Sequence, residues 1–210
     1  MGKVIADLAS SATSATFNVE NATSSVDYVI SGTDGSANQI LKTDGSGNLS
    51  WTDDSVGNTI KVAYLVDEKA DTTAGGTFTS GAWRHRDLNT EYYDTIGVTL
   101  SSNEFTLPAG TFYIDWSCPA VRVVGHQSRL YNVTDTAVVK YGKSSRSTEI
   151  GSEGNQTLSS GSATVTISSG TETFKIEHRC STTASTYGFG DNVDFGGVEL
   201  FTAVKVMQIA

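Results

Sequence analysis

The stretch FTLPAGTFYIDWSCPA, residues 105–120, decides the fold. Past the Pro108-Ala109-Gly110 turn, Phe112, Ile114 and Trp116 face one way, and Thr111, Tyr113, Asp115 and Ser117 face the other. A period of two marks a half-buried strand, because successive side chains of extended backbone leave opposite faces. The pattern recurs downstream. Ala163, Val165 and Ile167 alternate with Thr164, Thr166 and Ser168, and Phe174, Ile176 and His178 alternate with Thr173, Lys175 and Glu177. Ile60–Val66, Ile96–Leu100, Val121–Val124, Leu130–Val133 and Ala137–Tyr141 are further expected strands. Turns are expected at Gly125, Gly142, Gly151 to Gly154 and Ser159-Ser160-Gly161. About eight to ten strands at this spacing predict an all-β sandwich or jelly roll over residues 61–210.

Composition agrees. Only 18% of residues are charged and 38% are apolar, with no long amphipathic run of helix formers. The net charge of −9 opposes encounter with phosphate backbones and anionic membranes, so neither nucleic acid nor membrane insertion is expected. No segment approaches the roughly 20 apolar residues of a membrane span. The first residues lack a secretory h-region, which predicts synthesis and retention in a cytoplasm and makes the sequons at Asn21, Asn48, Asn132 and Asn155 incidental. Cys118 and Cys180 read as two buried thiols, with a disulfide left open.

Residues 1–60 have another character. Their large apolar side chains are few (Phe17, Tyr28, Ile30, Ile40, Leu41, Leu49, Trp51), too few to order the segment alone. It is expected to be an attachment arm, ordered on copies of itself or by docking on a partner. The imperfect repeat Thr33-Asp34-Gly35-Ser36-Ala37-Asn38 and Thr43-Asp44-Gly45-Ser46-Gly47-Asn48 supplies two tight turns. Short strands at Gln39–Lys42 and Leu49–Trp51 complete short β-hairpins. A calcium loop fails on spacing, since the sixth and twelfth residues from Asp44 are Leu49 and Ser55.

The last strand is apolar on both faces. Val198, Leu200, Val204 and Val206 are expected on one side, and Phe201, Ala203, Met207 and Ile209 on the other. In a two-layer sandwich only one face meets the core, so a second copy is expected to cover the other. Val198, Leu200, Phe201, Val204, Val206 and Met207 are therefore the candidate interface between copies.

Several blocks resemble a known family: RHRDLN (84–89), FTLPAGTFYIDWSCPA, HQSRLYN (126–132), EHRCSTT (177–183), Gly188-Phe189-Gly190 and VELFTAVKV (198–206). Together they are similar to the C1q/TNF-like knob at the C-termini of bacteriophage tail fibres and related virion proteins. QILKTDGSGNLSW (39–51) looks like the linker that often precedes such knobs. The resemblance implies a homotrimeric jelly roll with its terminal strands near the threefold axis. No Gly-x-y run or heptad supplies the family's stalk.

Catalytic signals are weak. There is no Gly-x-Ser-x-Gly elbow and no phosphate-binding glycine motif, and adjacent carboxylates such as Asp53-Asp54 and Asp67-Glu68 point apart on a strand. His85, His126 and His178 do not form a metal pattern, although His178 and Cys180 share a strand face. No cofactor, metal or enzymatic activity is expected. Trp83, Tyr92, Tyr93, Tyr187 and Phe189 fall in expected loops, where they would stack on sugar rings or pack the knob. Arg84, Arg86, Arg122, Arg129 and Arg179 would pair across subunits or bind ligand. The expectation is a structural virion protein, made in the bacterial host cytoplasm. It is a short trimeric tail fibre or spike whose knob binds host-surface glycan, or else a capsid decoration (cement) protein anchored by residues 1–60.

Overall fold

A computed structural model describes residues 14–18, 27–31, 35–53, 60–150 and 153–209. The described residues contain strands and no helix. They fall into two compact units, residues 1–59 and 60–210. Thr33, Asp34, Asp54, Ser55, Gly151 and the sequon at Asn21 lie outside the described residues.

The first unit contains β1 (Ser14–Asn18), β2 (Asp27–Ser31), β3 (Gln39–Thr43) and β4 (Asn48–Asp53) in the order β1-β2-β4-β3. β3 and β4 form the expected hairpin, with Leu41 opposite Trp51. Gly45 (φ 79°) and Gly47 (φ 95°) supply its left-handed turn positions. The Asp44 carboxylate accepts the Ser46 and Asn48 backbone N–H groups at 2.8 and 3.1 Å and the Asn48 amide at 2.6 Å. Its oxygens thus serve the turn.

The second unit contains β5 (Lys61–Ala70), β6 (Arg84–His85), β7 (Thr90–Asp94), β8 (Thr99–Ser101), β9 (Glu104–Val121) and β10 (Val124–Asn132). It continues with β11 (Ala137–Tyr141), β12 (Ser145–Ser147), β13 (Glu149–Ile150), β14 (Glu153–Gly154), β15 (Gln156–Cys180) and β16 (Val198–Gln208). β9 and β15 each serve both layers of the sandwich. In one layer the order is β7-β5-β16, then residues 112–117 of β9, then residues 156–167 of β15. In the other, β11 and β10 lie beside residues 174–180 of β15, and residues 171–174 pair with residues 105–108 of β9, which β8 flanks. The crossings occur near Gly110 (φ 149°) and Gly170 (φ 71°), backbone angles that a side chain resists.

Phe105, Leu107, Phe112, Ile114, Trp116, Leu130, Phe174, Ile176, Val204 and Val206 fill the space between the layers. Trp116 is wholly buried, and its indole N–H donates to Ser128 Oγ at 2.9 Å, so the polar atom is satisfied. Gly161 lies under that ring, where a Cβ would approach the indole to 2.3 Å. This explains a correction: Ser159-Ser160-Gly161 is not a turn but part of β15, with glycine making room for the indole.

Pro108-Ala109-Gly110 and Gly125, also expected as turns, lie within β9 and β10, and three expectations about strands change as well. Val121–Val124 is a tight corner between β9 and β10, with Arg122 and Val124 at φ 58° and 63°. Ile96–Leu100 is a strand only from Thr99, because the Asp94 carboxylate accepts the N–H groups of Ile96, Gly97 and Val98 and holds a turn there. The face assignment of the last strand also differs. Against β5, Leu200 pairs with Glu68 and Ala203 with Val66, so Phe201 and Thr202 together oppose Asp67. This β-bulge inverts the side-chain parity. Phe201, Thr202, Val204 and Val206 are buried in the chain's own interior, while Val198, Leu200 and Met207 are exposed.

The inward turn of Thr202 has a partner. Arg86 is buried, its Nε donates to Thr202 Oγ1 at 2.7 Å, and its terminal nitrogens donate to the carbonyls of Phe189 and Pro119. Expected to pair across subunits or bind ligand, Arg86 instead ties three segments of one chain together. Cys118 and Cys180 are both buried and free, and burial pushes each thiol up to about 11.

Candidate functional site

Two surfaces of the second unit stand out. The first is the outward face of the layer containing β5, β16 and β9. Strand register sets Val62, Met207 and Tyr113 in one row across the three strands, and Tyr64, Lys205 and Asp115 in the next. Between them runs an almost wholly apolar groove of about 450 Å³. Met207 and Tyr113 are 39% and 40% exposed. The Lys205 ammonium lies 5.6 Å from the Tyr64 ring centroid, and the Tyr92 ring lies 5.9 Å from Tyr64. Of the six candidate interface residues, Met207 and Val206 line this groove, Met207 with an exposed side chain and Val206 buried beneath it. Val198 and Leu200 are exposed nearer the start of β16, whereas Phe201, Val204 and Val206 face the core.

The second surface is an open cleft of about 650 Å³ where β10, β12 and the end of β15 meet. β10 is the middle strand: Gly125 opposes Arg146 of β12, and Gln127 opposes Arg179 of β15. Residues directly opposite share a sheet face, so both guanidinium side chains stand on the same side. Gly125 keeps the floor open, since a Cβ there would meet Ser181 Oγ at 2.9 Å. Ser144, Ser145 and Ser181 add hydroxyls, and Trp83 forms a wall. The Trp83 ring is held by the Arg129 guanidinium, 4.1 Å from its centroid, and by Tyr141 at 5.8 Å. Arg129 is fixed in turn by Glu177 at 2.6 Å.

His126 and Cys180 lie at the base of the cleft. His126 Nδ1 is 2.9 Å from His178 Nε2, His126 Nε2 is 2.8 Å from Thr157 Oγ1, and His178 Nδ1 has no partner. An orphaned lone pair costs less than an orphaned buried N–H. The favoured arrangement therefore has His178 Nε2–H donating to His126, and His126 Nε2–H donating to Thr157. Burial, reinforced by the positive charge of Arg86, pushes His126 down to about 4 and His178 well below the ordinary imidazole value. The pair is neutral at pH 7 and adds no charge to the cleft.

The candidate aromatics do not converge. Trp83 belongs to the cleft, Tyr92 and Tyr93 lie on β7, and Tyr187 sits 5.8 Å from Arg122. Phe189 is not a free ring: it stacks on Phe78 at 4.3 Å and under Arg86 at 4.3 Å. Asp71, Asp194 and Glu199 bring carboxylate oxygens within 4.8 Å of one another, a grouping the sequence does not suggest because the residues are far apart in the chain. Glu199 accepts the Val193 and Asp194 N–H groups at 3.0 Å, and Asp71 accepts that of Gly196 at 3.2 Å, so this cluster shapes the loop that enters β16.

No protein-family model and no curated protein matches the chain. Among solved structures, the globular domain of zebrafish complement 1qA is similar at 13% identity and a TM-score of 0.44, covering 71% of this chain and 98% of that one. Murine APRIL is similar at 7% identity and a TM-score of 0.43, covering 72% of this chain and all of that one.

Proposed function

We propose that this chain is a non-enzymatic virion protein that works as a homotrimer, with residues 1–60 as its attachment arm and residues 61–210 as a knob for host-surface glycan. The outward row Val62–Met207–Tyr113 carries this reading. An apolar groove across three central strands of a finished sandwich is surface that a second copy would cover. The resemblance of residues 83–132 and 176–210 to trimeric phage knobs supports a threefold assembly. Sedimentation of the full chain tests it: the expected mass is three times 22.2 kDa, and a stable single-chain particle removes the proposal. A low copy number per virion would fit a fibre or spike, and hundreds of copies would fit a capsid cement protein.

A further inference from the structure

We propose that the cleft between β10, β12 and β15 binds an acidic saccharide, with Arg146 and Arg179 taking its anionic group and Trp83 its ring face. This deepens the glycan-binding reading above and rests on it only in taking a sugar as the ligand. The argument begins with charge. The chain carries −9, yet among the described residues no carboxylate lines the cleft and two arginines do. Other arginines are engaged: Arg129 with Glu177, Arg86 with three oxygens in the interior, and Arg84 with the carbonyls of Thr79 and Ser80. Arg146 and Arg179 have no carboxylate partner among the described residues. Two arginines on one sheet face, on flanking strands about 10 Å apart across β10, suit a ligand with a planar anion and further polar groups beside it.

The rest of the lining suits a sugar rather than a bare anion. Ser144, Ser145 and Ser181 offer hydroxyls that donate or accept, as sugar hydroxyls require. The Gln127 amide nitrogen donates to the Gly142 carbonyl at 2.9 Å, which fixes the side chain and leaves its oxygen available. Trp83 is immobilised by Arg129 and Tyr141, so stacking on it costs little ordering entropy. The volume is within the usual range for small-ligand sites, roughly 300–1,000 Å³.

Titration calorimetry of the full chain is the test, with three probes: a uronic-acid oligosaccharide, its neutral counterpart, and a phosphorylated sugar. Binding of either acidic probe at least tenfold tighter than the neutral sugar is expected, and the stronger of the two identifies the anion. The double variant Arg146→Gln and Arg179→Gln should lose at least tenfold in affinity for the acidic probe while keeping the wild-type circular dichroism. Equal affinity for acidic and neutral sugars, absence of binding, or unchanged affinity in the folded double variant overturns the proposal. Sugar binding that survives in the double variant refutes the cleft but leaves the attachment reading standing. A wild-type chain that binds the acidic sugar but is absent from virions leaves the cleft standing and removes that reading.

Discussion

Met207 and Val204 lie three residues apart on β16, yet they should fail in opposite ways when replaced by aspartate. Val204 is fully buried, so Val204→Asp removes about 1.5–3 kcal/mol of apolar burial. It also places an unpartnered carboxylate in the core at a cost of several kcal/mol. The sum approaches the whole stability of an ordinary domain, about 5–15 kcal/mol. Met207 is 39% exposed in the single chain, and Met207→Asp should change sandwich stability by no more than about 1 kcal/mol. Its effect falls on association. Covering the exposed part of Met207 is worth about 1 kcal/mol, and desolvating a carboxylate there adds several more, for at least about 3 kcal/mol per protomer. Three copies bring about 9 kcal/mol per trimer, roughly six orders of magnitude in the association constant. Sedimentation velocity and urea unfolding separate the outcomes. Met207→Asp should be a folded monomer and Val204→Asp an unfolded or aggregated chain. A trimeric Met207→Asp, or a Val204→Asp with a normal unfolding midpoint, would refute the assignment of the two faces.

Gly161→Ala should destabilise the knob by about 2–4 kcal/mol, because its Cβ meets the Trp116 ring at 2.3 Å and forces the indole off Ser128. Gly197→Ala, with nothing within 4 Å and no positive φ, is the neutral control, and urea midpoints with tryptophan emission report both. Acid should weaken the fold through the buried histidines. Their folded-state affinity for protons is depressed below the unfolded value of 6.5, so the unfolded chain binds more protons as pH falls. Stability is full above pH 6.5 and declines toward about 4. With His126 only 4% exposed, its share reaches about 3 kcal/mol at the low end. An unfolding midpoint that stays level between pH 6.5 and about 5, above most carboxylate titration, would contradict the neutral pair.

The sandwich was legible wherever a strand keeps strict alternation, as at Phe112, Ile114 and Trp116, whose neighbours Tyr113 and Asp115 do face outward. What alternation cannot register is an inserted residue. The bulge at Phe201-Thr202 shifts parity by one and exchanges the faces of everything beyond it, and no local residue type announces it. Arg86 was misplaced for a related reason: its solvation comes from carbonyls and a hydroxyl on segments more than thirty residues away in sequence. The cleft was half readable. Trp83 drew notice as a loop aromatic and Arg179 as a residue that would pair across subunits or bind ligand, but Arg146 looks like an ordinary surface charge until β10 sets the two arginines on one face.

Lys61 pairs with Gln208, so the polypeptide enters and leaves the sandwich side by side. A label or fusion partner joined at either end of this unit would emerge at one pole and leave the opposite pole clear. A short bridge between the two ends would close the backbone into a ring and allow new termini to be cut in a distant surface turn without unthreading a single strand.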